Sequence, residues 1–129
     1  MAPEVERVVE FFSRDEVTLE LVAYYCHKPD LRGAVESIAE HLGRSPEEVE
    51  RALQPLVELG LVRLRDVPGL GMKLVEFVPV KRGDGVIREA LEEVRRKYEA
   101  IFRRVLSRCF DYALVNLRGR LEGEGGRGS

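Results

Sequence analysis

Apolar residues recur at helical spacing through the first 60 positions, alternate with polar ones from Leu61 to Pro79, and return to helical spacing as far as Leu117. A period of 3.6 marks a helix with one buried face, and a period of two marks a strand. Val5, Val8, Val9 and Phe12 predict a short N-terminal helix over Glu4 to Phe12. Ser13 and Glu16 fit a capping box, and Val17, Leu21, Val22, Tyr24 and Tyr25 form the stripe of a second helix from Arg14 to His27. Pro29 and Asp30 break it, and Leu31 to Gly33 is short enough for a single β-bridge.

Two short helices joined by a tight turn follow. Val35, Ile38, Ala39 and Leu42 share one face of the first, and Gly43 ends it, because glycine adopts a left-handed C-cap without a Cβ clash. Ser45 is the N-cap of the second helix, Pro46 its first residue, and Glu47 and Glu48 suit the positive end of its dipole. Val49, Ala52, Leu53, Leu56 and Val57 make its apolar face, and Gly60 marks its end. A helix, a glycine turn and a second helix make a helix-turn-helix. Its outward residues are Glu47, Glu48, Arg51, Gln54, Pro55 and Glu58, with a kink expected at Pro55.

The alternating segments LVRLRDV and MKLVEFVPV predict two strands, and Pro68, Gly69 and Gly71 between them predict an antiparallel hairpin. A hairpin directly after a helix-turn-helix makes a wing. From Val86 to Leu117 neither Pro nor Gly intervenes, so one long helix is expected. Its residues Ile87, Leu91, Val94, Tyr98, Ile101 and Val105 follow the 4, 3, 4 spacing of a coiled-coil seam, and Phe110, Leu114 and Leu117 widen that face. Such a helix is roughly 45 Å long, more than a small winged helix needs to cover its own core, so the seam calls for a partner.

The segment Val17 to Pro79, with SIAEHLG, SPEEVERALQPLVELGLVR and the hairpin, resembles the winged helix-turn-helix of prokaryotic transcription regulators across the MarR, ArsR, PadR and TrmB-like groups. The order of wing, proline and long helix is most similar to the TrmB-like arrangement, in which that helix dimerises. The resemblance covers about half the chain. It implies a homodimeric transcription regulator that binds double-stranded DNA. The fold class is mainly α: a winged helix-turn-helix with a two-stranded β-wing and a long C-terminal dimerisation helix. The chain divides into a helical arm (1–13), the winged helix-turn-helix (14–80), the long helix (81–120) and a disordered tail (121–129).

Composition changes this picture little, and charge changes it more. The 129 residues carry 44% hydrophobic and 34% charged side chains, which fits one domain with a core. The net charge of −2 does not favour nucleic acid by itself, but the charge is unevenly placed. Residues 1–60 hold 13 acidic against 6 basic side chains, a net of −7, whereas residues 80–120 hold 6 against 11, a net of +5. Local rather than total positive charge attracts phosphate.

The candidate site follows from these residues. Glu47, Glu48, Arg51 and Gln54 would face the bases, Arg51 suited to guanine, Gln54 to adenine and the glutamates to cytosine amino groups. Arg44 and Ser45 in the turn, Arg63, Arg65 and Lys73 on the wing, and Lys81 and Arg82 after it would meet the backbone. Exposed strands also carry basic residues to blunt an edge, and Arg95, Arg96, Arg103, Arg104 and Arg108 of the long helix could bind an anionic partner but fit a solvated coiled-coil face better. A second reading is a winged-helix protein-interaction module whose acidic helix-turn-helix docks on a basic partner. Tyr24, Tyr25, Tyr98, Phe102 and Phe110 would line an effector pocket between subunits, or simply belong to the core.

No stretch approaches the roughly 18 apolar residues of a membrane span, and the N-terminus lacks a signal peptide's pattern, so a cytoplasmic location is expected. Cys26, Cys109, His27 and His41 show no paired ligand spacing, and no nucleophile, base and acid can be assembled. Neither an enzyme nor a cofactor is expected.

Overall fold

A computed structural model describes residues 2–108. Their elements are α1 (Pro3–Phe12), α2 (Glu16–His27), β1 (Arg32–Ala34), α3 (Val35–Leu42), α4 (Pro46–Glu58), β2 (Val62–Val67), β3 (Met72–Phe77) and α5 (Gly85–Lys97), and residues 99–108 are helical again. Phe110, Leu114 and the expected tail lie outside the described residues.

The axis of the fold is α2. Every residue from Thr18 to Tyr25 is buried, so this helix is covered on all sides rather than along one stripe. Its N-cap is Asp15, whose carboxylate accepts the Thr18 amide at 2.7 Å, and not the expected Ser13, whose hydroxyl donates to Val9 C=O at the end of α1. Tyr25 donates its phenolic hydrogen to Val78 C=O at 2.5 Å, tying α2 to the chain just after β3, and burial pushes its pKa up to about 12.

The helix-turn-helix forms as its local signals dictate. Val35, Ile38, Ala39 and Leu42 of α3 are buried, and Gly43 caps it with φ 66°. Ser45 and Glu48 form a reciprocal capping box at the start of α4, Ser45 Oγ accepting the Glu48 amide at 3.2 Å. A Cβ at Gly43 would meet only Arg108 Nη1, at an ordinary 3.5 Å, so Gly43→Ala should cost only the left-handed backbone penalty of about 1–2 kcal/mol, read as a shift in urea midpoint. Pro55, expected to face outward, is instead buried with Val49, Ala52, Leu53 and Leu56.

The sheet has three antiparallel strands in the order β1-β3-β2, one more than the expected two-stranded wing. The segment expected to offer a single bridge pairs over three residues, Arg32 to Ala34 facing Glu76 to Leu74. The hairpin pairs Val62 with Phe77 at its base and Val67 with Met72 next to its turn. Val62, Val75 and Phe77 enter the core, and the ring of Phe77 meets Tyr24 and Tyr25 edge-on.

The expected uninterrupted long helix breaks at Tyr98, whose φ −118° and ψ 42° end α5. The seam has a partner inside the chain. Ile87 and Val94 are buried as α5 packs on α1, whose Val5, Val9 and Phe12 are buried in turn. Val105, beyond the break, is also buried. Heptad spacing shows that a face is covered but not by which helix.

Candidate nucleic-acid interface

The outward face of α4 is a row of four exposed side chains, Glu47, Arg51, Gln54 and Glu58, at i, i+4, i+7 and i+11. Two further carboxylates flank the row, and both are engaged. On one flank Glu48 closes the capping box and lies 3.7 Å from Arg44 Nη1. On the other, Glu50 is hydrogen-bonded by Lys73 Nζ of β3, a contact that raises the lysine pKa. The exposed row therefore carries one guanidinium and one amide between two carboxylates. Among the described residues, Arg51, Glu47 and Glu58 have no ion pair.

The wing cations do not form the single cluster expected from the sequence. Arg63 and Arg65 lie on the solvent face of the sheet, with Arg32 of β1, around Glu76 of β3. Arg32 Nε is 3.1 Å from one Glu76 oxygen, and Arg65 and Arg63 are 3.6 and 4.0 Å from the other. Three arginines thus surround one carboxylate and leave an excess of positive charge, beside the exposed Met72, Leu74 and Leu70. Lys73, one position out of phase, turns to the opposite face and toward α4. Lys81 and Arg82 are exposed, but they follow β3 at the end of the hairpin away from its turn, so they do not extend the wing tip.

Arg44, expected to reach phosphate, points into the protein. Its Nε donates to Glu20 Oε1 at 2.8 Å, its Nη2 lies 2.8 Å from the same oxygen, and Glu20 is 1% exposed inside α2. This hydrogen bond raises the arginine pKa further above its usual value. Ser45 is occupied by its cap. Two arginines beyond Tyr98 join the group: Arg104 donates to Glu16 at 2.5 Å and lies 3.8 Å from Glu20, and Arg108 donates to Leu42 C=O at 2.6 Å, closing the end of α3. The contact with Arg104 lowers the Glu16 pKa. The C-terminal arm therefore grips the turn of the helix-turn-helix, and part of its basic charge answers the acidic half of the same chain.

Of the expected dimer seam, Ile87, Val94 and Val105 are buried within the chain, while Leu91, Tyr98 and Ile101 pack against the core and remain partly exposed. Tyr24 and Tyr25 are core residues. Tyr24 Oη and His41 Nδ1 lie 2.8 Å apart, and partial burial lowers the His41 pKa. A lowered folded pKa means that the unfolded chain binds the proton more readily. This contribution to stability is complete above about pH 6.5 and is lost as pH falls through the folded value. Melting temperature should fall between pH 7 and 5.5, and less so in His41→Gln.

Arg32 and Glu20 were absent from the residues singled out by sequence, and Arg104 and Arg108 were expected on a solvated face of the long helix rather than against Glu16 and Leu42. The pairing register brings Arg32 to Glu76, and the complete burial of α2 makes Glu20 a buried charge. Among the described residues, no group of three His, Cys, Asp or Glu is placed to hold a metal, and no helix is long and apolar enough to cross a membrane. Compared with family models, curated proteins and solved structures, the chain has no match.

Proposed function

We propose that the protein is a homodimeric winged-helix transcription regulator that binds double-stranded DNA through α4. The observation that carries this reading is the exposed row of α4, where Arg51 and Gln54 stand free while Lys73 neutralises Glu50 and the capping box with Ser45 holds Glu48. Arginine and glutamine are the side chains that pair bidentately with guanine and adenine in a major groove. Lys73 lies toward the hairpin turn and contacts the N-terminal half of α4, so the wing tip and the base-reading half of the helix are neighbours. The arginine excess around Glu76 supplies the sequence-independent attraction to phosphate. Leu91, Tyr98 and Ile101 are the seam residues left to join two copies.

The test is fluorescence anisotropy with labelled genomic duplexes. Affinity should fall steeply between about 50 and 200 mM salt as counterions are released. No binding at the lowest salt overturns the reading, and a monomer in light scattering overturns its dimeric part. A protein-interaction module is the second reading, favoured by the unpaired Glu47 and Glu58 on the same row. Retention of a basic protein partner without retention of DNA would select it.

A further inference from the structure

The turn at Tyr98 redirects the C-terminal arm across the end of α2 and leaves a groove with a volume of about 390 Å³ between them. Its walls have a consistent chemistry. Phe102 and Leu106 from the arm and Ala23 from α2 supply an apolar floor, and Leu106 is 46% exposed. Cys26 adds a thiol whose pKa burial pushes up to about 11, so it is a neutral, soft contact rather than a nucleophile. Glu99 accepts a hydrogen bond from Arg103 at 2.5 Å, and the two cancel. Arg95 is exposed, sits close enough to Cys26 to act on its titration, and among the described residues has no ion pair. Residues 99, 102, 103 and 106 follow helical spacing beyond the turn, and Arg95 lies before it at the end of α5, so the unpaired cation and the apolar surface line the same groove from the two sides of the break.

The geometry points to this groove as a binding site for a small organic acid with an apolar body, its carboxylate on Arg95 and its body against Phe102, Leu106 and Cys26. The volume lies within the range of small-molecule sites, which combine an apolar lining with a few polar groups. The single uncompensated guanidinium sets the sign of the ligand. The site does not depend on DNA binding.

The probes are benzoate and hexanoate, with benzyl alcohol and hexanol as neutral counterparts, titrated calorimetrically into the full chain at neutral pH. Both acids should bind at one site per chain and more tightly than their alcohols. Arg95→Ala, a change at an exposed position, should weaken the acids about tenfold or more and leave the alcohols unchanged. Leu106→Ala should weaken all four. Absence of binding, equal binding of acid and alcohol, or an Arg95→Ala variant that keeps its preference for acids overturns the proposal. So does conversion of a dimer into a monomer by Leu106→Arg with no heat from any probe, which would make the groove an interface between copies.

Discussion

Replacing Arg44 with alanine should lower the unfolding free energy by about 3–5 kcal/mol, the cost of leaving a buried carboxylate without its partner. Glu20 is 1% exposed and accepts a hydrogen bond from Arg44 Nε, with Nη2 of the same guanidinium 2.8 Å away, and its other cation, Arg104, stands off at 3.8 Å. The loss should appear as a lower urea midpoint at unchanged slope. Glu20→Gln in the Arg44→Ala background should recover a large part of it, because the amide carries no charge to strand. A cost below about 1 kcal/mol for Arg44→Ala alone would mean that Glu20 is not a charged, paired group, since exposed pairs are worth only that much. A residue expected to hold DNA is thus predicted to act first on stability.

Arg51→Ala should act oppositely, with little effect on stability and a large one on sequence preference. The side chain is exposed and has no ion pair among the described residues, so its removal strands nothing. A bidentate arginine–guanine contact discriminates by about 1–3 kcal/mol, so the preferred duplex should lose roughly fivefold to 150-fold in affinity while random duplexes change little. Arg65→Ala should instead weaken all duplexes alike and reduce the salt dependence. Equal losses for both variants on all duplexes would mean that α4 makes no base-specific contact.

Much of the helix-turn-helix was legible because its signals are local. Gly43, Ser45, Pro46 and Glu48 dictate one turn and one capping box within a few residues, and the structure has both. The hairpin was legible for the same reason. What the sequence left open is where two segments meet. The sequence pointed to Ser13 as the N-cap, whereas the structure uses Asp15, and the choice depends on where the chain leaves α1. Glu20 interrupts an apolar stripe and reads as a solvent-facing position until α2 proves to be covered on every side. Arg63 and Arg65 share a face by their spacing of two, but that Lys73 opposes them follows only from the pairing of Asp66 with Lys73.

The C-terminal arm shows the same limit at larger scale. Of Ile87, Leu91 and Val94, spaced by four and three, Ile87 and Val94 are covered, and the cover comes from α1 of the same chain. Arg104 and Arg108 read as part of a solvated basic face, yet they reach Glu16 and the last carbonyl of α3. Net charge by region therefore overstated the basic surface open to a partner.

The acidity of α4 is the feature on which the functional reading turns. Four glutamates lie along it, Glu47, Glu48, Glu50 and Glu58; Lys73 pairs with Glu50, and the capping box holds Glu48 at 3.7 Å from Arg44. The most direct test is a backbone amide NMR titration with a duplex selected from a randomised pool. The account predicts shifts concentrated at Glu47, Arg51 and Gln54 and near the hairpin turn. Shifts confined to the Arg32, Arg63 and Arg65 face of the sheet, with α4 unperturbed, would contradict it.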